Sequence, residues 1–224
     1  MASYYRDKFD LTSKPATTHL FLAEGQSEAG FIDAHLKTLQ PDYNTTTVLC
    51  FKGLGNIRDK TDTLVKLLEK GPTGLDQLRG IGVMGDAETN PAGQLDVAIQ
   101  IATSLGFSHP AKDIRETQNC EQNGRRFCVA LAPAHDKSGR IEDLVIQEVS
   151  AKPIFKCLEN SFNCIEKASN SPLDTKARVQ MFISAAANNS LAGVGRAFLA
   201  NVLDTAAPPY ANARGMIEYV LAAT

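Results

Sequence analysis

The sequence predicts an α/β protein: a mostly parallel sheet flanked by helices, with a β-hairpin insertion and a helical C-terminal extension. Three observations carry this expectation. Over the first half of the chain, short apolar runs alternate with stretches of helical periodicity, the pattern of a parallel sheet covered by helices. The pair Asn123-Gly124, a strong hairpin signal, then breaks the alternation. From Ile141 onward the chain reads as successive helices punctuated by Pro153, Pro172 and Pro208-Pro209.

Residues 1–17 read as a flexible polar lead-in. The apolar run at 19–23 (HLFLA) is the first strand, and Glu24-Gly25 ends it. Residues 27–40 put Phe31, Ile32, His35, Leu36 and Leu39 at helical spacing, and Pro41 and Asp42 close that helix. The β-branched stretch 45–51 is the second strand. Gly53-Leu54-Gly55-Asn56 makes a turn, and 57–70 forms an amphipathic helix with Leu64, Val65, Leu67 and Leu68, broken by Gly71-Pro72-Thr73-Gly74. A third strand over 78–84 holds GIGVM and ends at Gly85-Asp86-Ala87-Glu88. A third helix covers 94–105, stopped by Gly106. Residues 115–121 and 125–132 bracket the hairpin turn, and a helix begins at Ile141 and runs to Val149. Further helices are expected over 154–168, 173–187, 191–205 and 210–222. The expected division is a lead-in at 1–17, an α/β domain at 18–150, and a helical extension at 151–224 packed on the same core.

Of the 224 residues, 43% are hydrophobic and 21% charged, the balance of a globular chain. The 23 Lys and Arg against 25 Asp and Glu give a net charge of −2. No global basic field exists, so a nucleic-acid partner must be held locally. No apolar run approaches the ~18 residues of a membrane span, and the polar stretch from Met1 to Lys14 lacks a signal-peptide core. A cytoplasmic protein with no membrane partner is expected. The five cysteines are scattered and form no C-x-x-C. Cys50 reads as a small buried hydrophobe. Cys157 and Cys164 share a helix face expected to lie in the core. Cys120 and Cys128 flank the hairpin turn and could face each other, although a reducing cytosol argues against a bridge. His19, His35, His109 and His135 lack the spacing of a zinc site.

In a parallel sheet the carboxyl ends of the strands lie along one edge, and ligands bind in the crevice outside it. Two expected strands end in acids: Glu24 after HLFLA, and Asp86 with Glu88 after GIGVM. The topology puts these carboxylates on one rim, flanked by Gly25 and Gly85. Carboxylates so gathered repel one another unless neutralised by a proton, a Lys or Arg, or a hard divalent cation. Mg²⁺ or Mn²⁺ there suits metal-assisted phosphoryl transfer and supplies the positive charge the chain lacks. The bland alternative makes Glu28 a helix-dipole partner and Asp86 and Glu88 turn and cap residues. Weaker signals are the Gly53–Asn56 turn, which could cradle a phosphate but lacks a P-loop ending, and Arg125-Arg126, which could touch a phosphate backbone. Ser138 and Ser190 have no recognisable His and acid partners for a serine hydrolase.

The string Phe21-Leu22-Ala23-Glu24-Gly25-Gln26-Ser27-Glu28-Ala29-Gly30-Phe31-Ile32 resembles the first motif of TOPRIM domains, an apolar strand followed by Glu-Gly and an acid opening a helix. Residues 81–90 (IGVMGDAETN) resemble the second, a strand ending in Asp-x-Asp, with Glu88 replacing the second Asp. Gly139-Arg140-Ile141-Glu142-Asp143-Leu144, followed by Asp174-Thr175-Lys176-Ala177, is similar to the later part of a small TOPRIM-like family with a typical Gly-x-Leu-Glu-Asp-Leu segment and a downstream Lys. TOPRIM domains are catalytic modules of topoisomerases, DnaG-type primases and OLD-family nucleases. The resemblance therefore implies a TOPRIM-like Rossmannoid sheet. It makes Glu24 a metal ligand or general acid/base, and Asp86 and Glu88 metal ligands. It offers Glu142 or Asp143 to a second ion, and gives Lys176 a role in stabilising a pentavalent phosphate.

The leading expectation is thus a Mg²⁺- or Mn²⁺-dependent phosphodiester hydrolase or phosphotransferase acting on nucleic acid, with Glu24, Asp86, Glu88 and Lys176 catalytic. One alternative is a non-catalytic TOPRIM-like binding module serving a protein or nucleic-acid partner, or a second copy of itself. Another is a nucleotide or small-phosphate enzyme using the Gly53–Asn56 turn.

Overall fold

A computed structural model describes residues 17–39, 45–70, 77–107, 118–122, 124–187 and 193–223. Residues 1–16 of the lead-in, the Pro41-Asp42 stop, the Gly71–Gly74 break, His109, Asn123 and Ser190 lie outside the described residues.

Five strands form one sheet: β1 (His19–Ala23), β2 (Thr46–Cys50), β3 (Gly80–Asp86), β4 (Gln118–Gln122) and β5 (Arg125–Ala132), in the order β2-β1-β3-β5-β4. All neighbours are parallel except the β4–β5 hairpin. The hairpin is therefore part of the main sheet: β5 pairs with β3 from Arg126 to Ala132, and β4 becomes an antiparallel edge. The linking helices are α1 (Gln26–Leu39), α2 (Leu54–Lys70) and α3 (Pro91–Ser104). After the sheet come α4 (Ile141–Val149), α5 (Pro153–Ser169), α6 (Thr175–Ala186), α7 (Val194–Leu199) and α8 (Ala211–Leu221), the last preceded by a 3₁₀ turn at Pro208–Tyr210.

Strand alternation divides the core in two. Phe21, Ala23, Val48, Met84, Cys128 and Ala130 point to one side, where they meet Phe31 and Ile32 of α1 and side chains of α4 to α8. Leu20, Leu22, Leu49, Ile81, Val83, Phe127 and Val129 point to the other, where α2 and α3 cover them. Apolar residues on both faces of β1, β3 and β5 are what a doubly covered parallel strand requires. The last third of the chain thus shares its buried cluster with the strands: Phe155, Phe182, Met216 and Val220 belong to the same cluster as Phe21. The short helix α7 lies tightly against α1, because a Cβ on Gly30 would stand 2.3 Å from the Gly195 Cα. Phe198 of α7 packs edge-on against Phe31, with centroids 5.1 Å apart.

Several boundaries differ from the sequence reading. Strand β3 continues through Gly85 and Asp86, so Asp86 is its last residue and not part of a loop. Helix α2 starts at Leu54: Gly53, at φ +104°, accepts from the Asn56 and Ile57 N–H groups, so the expected Gly53–Asn56 turn is the opening of the helix. Helix α7 is far shorter than 191–205, because Asn201 adopts a left-handed φ of +56° and ends it. Cys157 and Cys164 are exposed, not core. Helix α5 buries Phe155 and Phe162 instead, and residues two positions on from each face away from that stripe. Cys50 is half-buried at the end of β2. Cys120 lies opposite Phe127, and Cys128 opposite Asn119, so register separates the two cysteines, and Cys128 is a buried thiol in no disulfide. Among the described residues no helix is long and apolar enough to cross a membrane.

Candidate acidic active site

The carboxyl ends of β1, β2 and β3 open into a cleft of about 1110 Å³. Its lining includes Glu24, Glu28, Asp86, Glu88 and Glu142, and also Lys52, Arg140, Lys176 and Arg196. Glu24 follows β1 and Asp86 ends β3. Because Ala23 pairs with Met84, parallel register sets the two acids side by side. The Asp86 N–H donates to Glu24 Oε2 at 2.8 Å. That carboxylate crosses directly over Gly85, where a Cβ would stand 2.6 Å from Glu24 Oε2. The backbone on the β2 side is tied to the same point, for the Gly53 N–H donates to the Glu24 carbonyl at 3.2 Å. In turn Asp86 Oδ1 accepts from the Ile141 N–H at 2.9 Å, joining the end of β3 to the start of α4.

Glu28, one turn into α1, is 3% exposed, and Glu142, in the first turn of α4, is 8% exposed. Neither forms an ion pair with a described residue, nor do Glu24 and Asp86. Four carboxylates thus share one crevice without an ion-pair partner among the described residues. The electrostatic result is plain. Burial, then repulsion from Glu28, Glu24 and Glu142, pushes Asp86 up to about 8. Burial, then repulsion from Glu24 and Glu142, pushes Glu28 up to about 7. Glu24 is also raised, by burial first and by Glu88 to a lesser degree, against the lowering effect of the Asp86 N–H. Perturbed values of this kind cluster at functional sites, and structural charge networks produce them as well.

The remaining expected residues divide. Lys176 lines the cleft as an exposed residue of α6. Glu88 lines it too, but its Oε2 accepts from Arg140 Nε at 3.0 Å and from a terminal Arg140 nitrogen at 2.9 Å. Asp143 is not part of the lining: its Oδ2 accepts from the Arg140 N–H at 2.8 Å, the work of a helix cap. Sequence reasoning gave no role to Arg140, Lys52 or Arg196, and it took Glu28 as the helix-opening acid of the first motif or, in the bland alternative, as a dipole partner. A carboxylate one helical turn after Glu24 was the available signal for Glu28.

The donor chemistry fits a hard divalent cation: oxygen ligands only, crowded negative charge, and two groups held partly protonated near neutrality. The carboxylates are not drawn into a finished cage. Among the described residues no three His, Cys, Asp or Glu side chains are clustered as a coordination set, since Glu24 and Asp86 each turn onto a backbone N–H.

Fold and site together define an α/β protein with an acidic crevice at the carboxyl edge of a parallel sheet. The sequence matches the family described as Protein of unknown function (DUF3226) over residues 18–218, and the chain belongs to that family. No curated protein matches it. Among solved structures, the fold is similar to that of the hypothetical protein PH0156 from Pyrococcus horikoshii OT3, at a TM-score of 0.53 and 11% identity, covering 83% of this chain and 88% of that one. It is also similar to the C-terminal region of the Xanthomonas campestris pv. campestris OLD protein, at a TM-score of 0.50 and 18% identity, covering 91% of this chain and 92% of that one. At these identities the likeness is one of fold.

Proposed function

We propose that the protein is a Mg²⁺- or Mn²⁺-dependent, TOPRIM-like phosphodiester hydrolase acting on nucleic acid. The observation that carries this reading is the convergence of Glu24, Glu28, Asp86 and Glu142 in one cleft, with two of them pushed toward neutral pH and no described Lys, Arg or His ion-paired to any of the four. Glu24 and Asp86 are the ion's first ligands in this reading, with Glu142 and Glu28 beside them. When bound, the ion polarises a phosphate oxygen and lowers the pKa of a water molecule. The protein's own contribution is to hold the acids at fixed strand ends through the Asp86 and Ile141 N–H groups. Lys52, Lys176 and Arg196 are exposed, line the same cleft and pair with no described carboxylate. They come from the β2–α2 link, α6 and α7, so a phosphate chain entering the cleft meets positive charge from three elements. Lys176 is the one we assign to the charge that develops on the phosphate.

Calorimetric titration with Mn²⁺, followed by a cleavage assay on single- and double-stranded DNA and RNA, tests the reading. Wild type should bind the ion and cleave; Asp86→Asn should lose both, with a rate drop of at least about 10²-fold. Wild type that binds no ion, or leaves every substrate intact, removes the catalytic claim. A second reading, a non-catalytic binding module, is favoured by one observation: Arg140 occupies the carboxylate of Glu88. It predicts nucleic-acid or protein complexes that form with Mn²⁺ and never turn over.

A further inference from the structure

The contact between Glu88 and Arg140 is a feature of the cleft to which the expected chemistry gives no task. We propose that Arg140 is the residue that grips a non-bridging phosphate oxygen pair of the substrate, and that Glu88 is its positioning partner and not a ligand of the ion. This rests on the phosphodiester reading above.

Geometry supports it in several ways. Two guanidinium N–H groups go to a single oxygen of Glu88, which leaves other donors of the fork for a second acceptor that presents two oxygens. The Arg140 side chain is 55% exposed and lines the cleft, so that remaining edge is open to a ligand. A guanidinium fork matches phosphate geometry better than any other side chain. The backbone holds the two residues together. The Glu88 N–H donates to the Gly139 carbonyl and the Gly139 N–H donates back, each at 2.8 Å, immediately before Arg140. This clasp goes with a φ of +51° at Glu88, a left-handed conformation uncommon for a residue with a side chain. The pairing also accounts for glutamate at this position. An aspartate would be shorter by one C–C bond of about 1.5 Å and would fall short of a partner now held at 2.9 Å.

Depth separates Glu88 from the acidic floor: Glu28 and Glu142 are buried, while the Glu88 side chain is 33% exposed at the rim. Arg140 directly precedes Ile141, whose N–H donates to Asp86 Oδ1 at 2.9 Å, and it lines the same cleft. It therefore stands beside the place where an ion-bound phosphate would be held.

Two measurements decide the matter. Mn²⁺ calorimetry compares wild type, Asp86→Asn and Glu88→Gln. Glu88→Gln should keep the wild-type affinity within about twofold while Asp86→Asn loses it. Equal losses in the two variants overturn the proposal. Wild type that binds no Mn²⁺ overturns the catalytic reading instead. The second measurement is anisotropy of a labelled single-stranded oligonucleotide at low salt in chelator, which needs no ion. Glu88→Asp keeps the charge and loses the reach. It and Arg140→Gln should each weaken binding about tenfold, the size of one charge-assisted contact. The double variant should be no weaker than either single, and the salt slope should fall by about one. Unchanged or absent oligonucleotide binding, or additive losses in the double variant, would overturn the assignment.

Discussion

Asp86 ends a buried strand with its carboxylate facing three others, and its own N–H is given to one of them. The cost of that arrangement shows in how stability depends on pH. The group rises from 3.8 in its ordinary state to about 8 in the fold. Between those values the native state binds the proton that the unfolded chain has released, so stability falls as pH rises through the window. Glu28, raised to about 7, adds to the same slope. The melting temperature of metal-free protein should therefore drop steadily from about pH 4 to about pH 8. Asp86→Asn keeps an oxygen for the Ile141 N–H and removes the charge. At pH 8 it should be more stable than wild type by about 1 kcal/mol, or roughly 2–4 °C for a chain of this size. A flat profile, or an asparagine variant that melts no higher, would show that the acids are not crowded.

The approach of α7 to α1 depends on the absence of two side chains. A Cβ at Gly195 would stand 2.1 Å from the Gln26 carbonyl oxygen, which is backbone and cannot turn aside. Gly195→Ala should lower stability by about 1–3 kcal/mol, the usual cost of overpacking, readable as a lower urea midpoint. Since Gly193, Val194 and Arg196 line the cleft, the same variant should weaken nucleic-acid binding while leaving Mn²⁺ affinity intact. On the far side of the core, buried Tyr210 donates to Glu148 Oε2 at 2.9 Å, and Lys152 donates to Glu148 Oε1 at 2.6 Å. Tyr210→Phe removes one hydrogen-bond donor from a buried carboxylate and should cost about 1–2 kcal/mol. The helices themselves were legible where apolar spacing was regular, as in α1 and α4. They were not legible where one residue's backbone decided the end: Gly53 at the start of α2 and Asn201 after α7. For α5, spacing alone could not say which of two weakly apolar stripes faces inward. The phenylalanines bury more area than the cysteines, and they won.

The whole molecule carries a net charge of −2, so it offers no long-range attraction to a polyanion. Nucleic-acid affinity should accordingly rise at least tenfold on adding 1 mM Mn²⁺ at constant ionic strength, and Asp86→Asn should lose that rise. An equal gain from added monovalent salt alone would point away from the acidic floor. Glu24 and Asp86 could be read as neighbours from sequence because parallel register is set by strand pattern, and the strands pair as that pattern requires. Arg140 could not, because its meeting with Glu88 depends on a backbone clasp between segments 52 residues apart. The shared cluster behind the sheet has a practical side for anyone wishing to trim the gene. Phe21 and Met84 are roofed by residues as late as Met216 and Val220. A stop codon placed near position 150 would strip α5 to α8 from that side of the sheet and leave α1 and α4 alone to cover it, and the product should be a sticky fragment recovered in the pellet.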